Sequence, residues 1–555
     1  MDALPAERPE GDNRISGNTV IPPATVSPSR SLRLLQAAFV AAVVAFAWLR
    51  FSENTVDNDL WGHVLYGQRA WVRGGLEYTD VLSWTAAGRP WINHELLAEL
   101  VMGGVHRIGG GTGLWLLMIG FAIVTVGLAL RAGRGTGGAQ GWIALTLFAV
   151  SINTIATGYA VRPQLFTMLA LVLLLLILRR IAHGSAAWAI AVPCLFGLWV
   201  NSHGGYIAGL VVVGTSACAA AAQSRFTARG SARPVIPWLI LPVLALAGAL
   251  CNPWGWRLLA WTAGSILLPR PGIGEWHPLG FSPPGLALIA IILVSATGWY
   301  FSRRAHRWWE MAALIVLAAM ALRSQRHTPL FALANLILTP HHLAGALERL
   351  APRCRSLVRL ALRPVVQWPV AAMLGANAAL TFGQSLSAPR VHPFTLEIER
   401  DVFPEAAAAF IQEHGLAGNT ITFFDWGQQA LWRLPNNPVS FDGRLDTVYP
   451  VAVMDAHWRL YAGKDPGPAL ELERADIALL PNFSPGADWL RAAGWTTVYR
   501  DSLAEVQLRR PQSYPNLLDR IPGHHFPFFA KLSATSGRIP FPSDLPVLST
   551  PAAPR

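Results

Sequence analysis

Charged residues are scarce in this chain. Asp, Glu, Lys and Arg make up 14% of its 555 residues, against 52% hydrophobic ones. Mean hydropathy is +0.36 and apolar runs near twenty residues recur, the length that spans a bilayer as a helix, which excludes a soluble globular class. Cysteine is scarcer still. Cys194, Cys218 and Cys251 lie in or at the ends of apolar runs and Cys354 in a basic loop, which excludes a disulfide framework, and their spacing excludes a cysteine metal site. No glycine-rich loop of the Walker type occurs, which excludes that kind of nucleotide site. The first apolar run lacks a small-residue cleavage signature, so it reads as an uncleaved helix behind a polar, Pro-rich, basic tail over residues 1–33, expected to be disordered.

Eleven spans are predicted, at 34–51, 114–131, 142–158, 163–179, 187–200, 205–222, 235–251, 284–301, 309–322, 327–343 and 365–383. The net charge of +12 belongs to short loops between them, so it orients a membrane protein and does not point to nucleic acid. With the N-terminus in the cytoplasm, Arg131 and Arg134, then Arg179 and Arg180, then Arg225, Arg229 and Arg233, then Arg303, Arg304 and Arg307, then Arg349 through Arg363 all fall inside. The polar motifs then fall outside: the loop 52–113, Arg162, Asn201 to Gly205, Asn252 to Arg257, Glu275 to Pro278 and Arg323 to His327. Polar groups gathered at one face of a bundle imply a single water-filled or ligand-filled cavity, roofed by the first loop. The short apolar segment 256–268 reads as a partial or surface-lying helix beside it.

The densest chemistry runs from Asp57 to Glu99, where Asp57, Asp59, Trp61, His63, Asn93, His94 and Glu95 interrupt an apolar chain. Two carboxylates two positions apart can hold a divalent cation, Mg²⁺ or Mn²⁺, or supply a general base toward a hydroxyl. The competing reading is that Asp57 or Asp59 caps a helix starting near Leu60, and that Asn93 to Glu95 opens an amphipathic helix to His106. His94 and Glu95 lack the second histidine of a zincin motif. A cationic set follows at helix ends: Arg162, Arg257, Arg323 and Arg326 with His203, His277 and His327, near Trp254 and Glu275. Arginine presents a planar fork that suits phosphate or pyrophosphate, and the competing reading is contact with lipid headgroups.

Past residue 385 the composition changes. Helical patterns at 404–414, 452–460 and 487–492 alternate with β-like runs at 420–424, 439–441, 477–480, 496–499 and 505–508, which predicts a small α/β domain over 386–530. A Pro-rich irregular tail is expected over 531–555.

A cytoplasmic N-terminus, a large outer loop opening with Asp57 and Asp59, many spans and an outer C-terminal domain resemble the GT-C superfamily of polytopic membrane glycosyltransferases. The run through Trp61, His63, Ser83-Trp84-Thr85, Pro90-Trp91 and Asn93-His94-Glu95 looks like bacterial membrane proteins placed with that superfamily. Phe423-Phe424-Asp425-Trp426-Gly427 is similar to the Trp-Trp-Asp-Tyr-Gly motif by which oligosaccharyltransferase catalytic subunits read an acceptor, with Phe, Phe and Trp replacing Trp, Trp and Tyr. The competing reading there is a strand entering a turn, with Asp425 capping the next helix.

The resemblance implies an α-helical GT-C-like membrane domain over 34–385 in a bacterial plasma membrane. It also implies inverting transfer of a sugar from a polyprenyl-phosphate-linked donor, at the extracytoplasmic face, to a glycan, lipid or protein acceptor. Asp57 and Asp59 match the family's catalytic or metal-binding carboxylate, and Asp59, beside Trp61 and His63, is the first choice as base. The substrate-binding candidates are His63, Asn93, His94, Glu95, Arg162, His203, Trp254, Arg257, Glu275, His277, Arg326 and His327; Asp425, Trp426, Asp442 and Arg444 are acceptor-binding candidates. A transporter or lipid flippase, and a non-catalytic scaffold on the same fold, stand as alternatives.

Overall fold

The computed structural model describes residues 30–135, 138–226, 235–266, 268, 270, 272–350, 375–376, 379–380, 383, 392–514, 517 and 537–544. Among the described residues up to 350, thirteen α-helices follow one another, beginning with α1 (Arg30–Phe51), α2 (Leu60–Arg73), α3 (Leu96–Arg134), α4 (Gly138–Ala156), α5 (Gln164–Ala182), α6 (Ala191–Val200), α7 (Tyr206–Phe226) and α8 (Ile236–Ala249). They continue as α9 (Trp256–Ser265), α10 (Pro283–Phe301), α11 (Trp308–Arg323), α12 (Thr328–Leu338) and α13 (Pro340–Leu350). Each predicted span from 34–51 to 309–322 overlaps one α-helix, and 327–343 overlaps two, α12 and α13. Among the described residues six helices are long and apolar enough to cross a membrane, or seven if the pair α12 and α13, bent by 54°, forms one span. The helices at 186–200 and 236–249 are apolar but shorter than the eleven-span reading requires. The segment 365–383 lies largely outside the described residues, as do Arg229, Arg233 and the arginines from 353 to 363.

Two glycine features shape the end of the bundle that carries the polar motifs. Gly110, at φ 54°, breaks α3 into two limbs, a backbone conformation that a side chain would strain. The first limb, expected to end near His106, therefore joins the long apolar second limb through a kink. Gly67 of α2 and Gly103 of α3 meet backbone to backbone, since a Cβ on Gly67 would come within 1.9 Å of the Glu99 carbonyl oxygen. That contact locks the register of α2 against α3 and sets His63 opposite Glu99.

The C-terminal domain holds a four-stranded sheet in the order β2 (Thr420–Thr422), β3 (Ile477–Pro481), β5 (Ala504–Leu508), β4 (Thr496–Arg500), with β2 and β3 parallel and the other pairs antiparallel. Helices Glu405–Glu413, Val451–Tyr461 and Pro485–Ala492 stand where the sequence pattern puts them. Residues 439–441 form no named strand; Val439 makes single bridges to Ser83 and Thr420. The expected irregular tail contributes β6 (Arg538–Pro540), antiparallel to β1 (Glu397–Glu399). Its prolines misled composition because a short edge strand tolerates Pro, which has no N–H to donate.

The first loop and this domain are built into one another. Trp61, with no exposed surface, packs against Phe403 and Trp432 at 5.8 Å and Phe541 at 4.7 Å. Val56 N donates to Glu397 O, and Trp84 N to Val439 O.

At the opposite end of the bundle the basic helix termini meet. Arg179 donates to the Ala132 carbonyl at 2.9 Å, Gln223 to the His306 carbonyl at 2.9 Å, and Arg304 pairs with Glu348 at 2.6 Å.

Candidate functional site

The loop after α1 and the N-terminus of α5 bring the first cluster together. Arg162 Nε donates to Asp57 Oδ1 at 2.6 Å, its Nη2 to Asp59 Oδ2, and its Nη1 to Glu275 Oε2 at 3.1 Å. Glu275 in turn pairs with Arg326 at 3.2 Å. Arg326 also donates to His203 Nε2 at 3.3 Å and lies over the Trp276 ring at 5.1 Å. All five ionic side chains keep 18 to 31% of their surface exposed, so a solute can reach them.

Neither helix-cap reading has its hydrogen bond. Asp59 occupies the N-cap of α2 without a side-chain capping bond, and Asp57 Oδ1 instead accepts Asp59 N at 3.0 Å. The helix after Asp425 likewise starts without a side-chain cap. Asp425 bonds the Asn58 side chain, close enough for Asp57 and Asp59 to act on it electrostatically. Burial raises the Asp425 carboxyl, and the two aspartates add to the shift. Burial also raises Asp57; Arg162 opposes the shift and Asp59 reinforces it.

A second cluster lies one turn along α2. His63 Nδ1 stands 3.4 Å from Glu99 Oε1 and 3.9 Å from Glu95 Oε2. Asn93 Nδ2 donates to Glu99 Oε2 at 2.5 Å, and Asn93 Oδ1 accepts Glu95 N. Around Glu95 Oε1 stand His94 at 3.8 Å and His203 at 3.9 Å. Burial by itself would depress the His63 imidazole, but the Glu99 bond and the charges of Glu95, Glu99 and Asp59 outweigh it and raise it. His203 is held well below its ordinary value by burial and by the Arg326 charge, and its Nδ1 sits 2.7 Å from Thr167 Oγ1.

Other expected residues stand apart. Trp254 packs on Tyr78 at 6.2 Å, Arg257 and His277 are exposed, and His327 keeps a buried Nδ1 without a hydrogen-bond partner among the described residues. Trp426 is buried, its indole N–H spent on the Val402 carbonyl at 2.9 Å, so it offers no face to an acceptor. Asp442 and Arg444 are equally enclosed. Arg444 pairs with Asp442 at 2.7 Å and with Asp80 of the first loop at 2.6 Å, while Tyr449 donates to Asp442 at 2.7 Å. This tie joins loop to domain, and Gly443 in its centre lets the backbone lie against Asp59 Oδ1 and Gln428.

Glu99, Asp80, Thr167 and Trp276 were not among the site candidates, although Asp80, Glu99 and Trp276 lie in stretches the sequence singles out. Asp80 and Glu99 stand in the charged stretch, and only their partners, remote in sequence, reveal their roles.

No family model and no curated protein matches the sequence. Solved structures do. The apo oligosaccharyltransferase of Archaeoglobus fulgidus aligns at TM-score 0.51 and 13% identity, over 82% of this chain and 71% of that one. Apo ArnT from Cupriavidus metallidurans aligns at TM-score 0.50 and 14% identity, over 86% and 98%. The chain has the GT-C fold. With that fold the chain is a multi-pass membrane protein, and its apolar helices are the membrane part.

On the GT-C fold the resemblance places a divalent cation at Asp57 and Asp59, and the residues as arranged do not suit one there. One guanidinium already joins the two carboxylates from between them. Among the described residues the one His and carboxylate group compact enough for an ion is His63, Glu95 and Glu99, whose ligand atoms lie within 4.8 Å of one another.

Proposed function

We propose that this chain transfers a sugar from a polyprenyl-phosphate-linked donor to an acceptor hydroxyl or amide at the extracytoplasmic face of the membrane, with the N-terminus cytoplasmic. The array of Asp57, Asp59 and Glu275 around Arg162 and Arg326 carries the reading, because it sets a half-buried carboxylate base beside two guanidinium groups that suit a phosphate. The acceptor oxygen or nitrogen attacks the anomeric carbon, the bond from that carbon to the carrier phosphate breaks, and the configuration inverts. The proton released goes to an aspartate, and the carrier phosphate leaves with the bonding electron pair. Asp57 suits the proton transfer, since burial raises its carboxyl toward the working pH.

Arg162 and Arg326 then meet the charge that develops on the leaving phosphate, exchanging carboxylate partners for phosphate oxygens. His203, neutral beside Arg326, holds that guanidinium without competing for the anion. The GT-C fold supports this reading, as does the position of the array where the loop after α1 meets the start of α5. Transfer of a radiolabelled sugar from a polyprenyl-phosphate donor by the purified protein tests it, with Asp57→Asn and Arg162→Ala as the variants. Unchanged transfer in both would remove the array from the chemistry.

A further inference from the structure

The second cluster is built like a metal site, and this inference does not depend on the transfer proposed above. His63 and Glu99 lie on the locked pair α2 and α3, and Glu95 closes the third side from the turn before α3. His63 and Glu99 are 8% and 2% exposed. A tetrahedral ion with bonds of about 2.0–2.2 Å sets its ligand atoms about 3.3–3.6 Å apart. The distances from His63 Nδ1 are 3.4 and 3.9 Å and all three ligand atoms lie within 4.8 Å of one another, so an ion would draw the carboxylates inward to meet that spacing.

Each carboxylate turns one oxygen into the triangle and has the other flanked from outside. Asn93 holds Glu99 Oε2, and His94 and His203 flank Glu95 Oε1, the kind of outer contact that orients ligands around an ion.

We propose that His63, Glu95 and Glu99 hold a divalent transition-metal ion, distinct from the Asp57 and Asp59 pair. One imidazole nitrogen with two carboxylate oxygens suits Zn²⁺ or Mn²⁺ over an all-oxygen ion such as Ca²⁺. The ion neutralises two enclosed carboxylates and ties the turn at His94 to the helix pair, one turn of α2 from Asp59.

The test uses the full-length protein in detergent, stripped with a chelator and titrated with Zn²⁺ alone or Mn²⁺ alone, with bound metal measured by mass spectrometry and Mn²⁺ by electron paramagnetic resonance. About one ion per chain is expected in the wild type and in Asp57→Asn. Affinity should fall at least tenfold in His63→Ala and in Glu95→Gln; the second variant guards against misfolding because Glu95 is partly exposed. A folded wild type that binds neither ion overturns the proposal and leaves His63 as the positive partner of the two carboxylates. Binding that survives both substitutions, or that is lost in Asp57→Asn alone, overturns it as well.

Discussion

Two arginines in this chain are each held by a pair of aspartates, and they differ in what encloses them. Arg162 and its partners Asp57 and Asp59 are 18 to 31% exposed at the mouth of the helix ends. Arg444, Asp80 and Asp442 are 0 to 3% exposed, and the guanidinium lies over the rings of Trp91, Tyr66 and Tyr449 at 5.0, 5.6 and 5.8 Å. The charge arithmetic is the same, yet only the first can exchange partners for a ligand. A sealed ion pair is an architectural tie, since removing one partner strands a charge in low dielectric. Sequence motifs alone would rank Asp442 and Arg444 beside Asp57 as site residues; burial separates them.

The largest effect should come from the open cluster. Asp57→Asn is expected to cut sugar transfer by about 10²–10⁴-fold, the usual worth of a general base, while the melting temperature stays near that of the wild type. The acid limb of the wild-type rate should lie above the ordinary carboxylate range of 3.8, because a base is active only when deprotonated and burial raises this one. Wild-type transfer by the variant would erase the distinction between the clusters.

In the sealed cluster the loss should appear in folding. Arg444→Met is expected to lower stability by about 3–5 kcal/mol, read by denaturant unfolding in detergent, because Asp80 and Asp442 are then left unpaired. The Asp80 carboxyl is held below its ordinary value, burial notwithstanding, by Arg444, Ser83 and the Leu82 N–H. A variant as stable as the wild type would show that this tie does not hold loop to domain.

A smaller effect concerns His457, fully enclosed next to that tie and bonded to the Val453 carbonyl and Ser440 Oγ, both at 2.8 Å. Burial holds it down from 6.5 to about 4. The unfolded chain takes up its proton first as pH falls, so the folded chain is fully favoured above pH 6.5 and loses up to about 3 kcal/mol by pH 4. Denaturation curves across that window should flatten in His457→Gln. The smallest change is expected from Asp59→Asn, below about 1 kcal/mol in stability, because Asp59 makes no capping bond to lose and its pair with Arg162 is partly exposed, with an amide oxygen still able to accept from the guanidinium.

The apolar runs were legible because length and composition fix a spanning helix, and Asp57, Asp59, Arg162 and Arg326 were legible because charge is costly in such a chain. The four-stranded sheet was readable from β-like runs, although 439–441 forms no strand, whereas the separate pair of β1 and β6 was not read, β6 being hidden in a Pro-rich stretch. Partners remote in sequence were not readable. Nothing near Asp80 announces Arg444, and nothing near Glu99 shows that a glycine contact between two helices sets it against His63. Trp426 resembled a motif residue, but its indole serves the Val402 carbonyl, a role set wholly by tertiary packing.

Trp61 carries a consequence for biosynthesis. The indole emerges early, while Phe403, Trp432 and Phe541, which enclose it, are made near the end of the chain. At about 5–20 residues per second, on the order of a minute separates the indole from its last partner. During that interval the first loop presents an uncovered aromatic surface on the ribosome-bound chain, available to chaperones or to a neighbouring nascent copy. Packing of the first loop is therefore gated by completion of the polypeptide, and a stop codon before Phe541 should leave even this early loop unsettled.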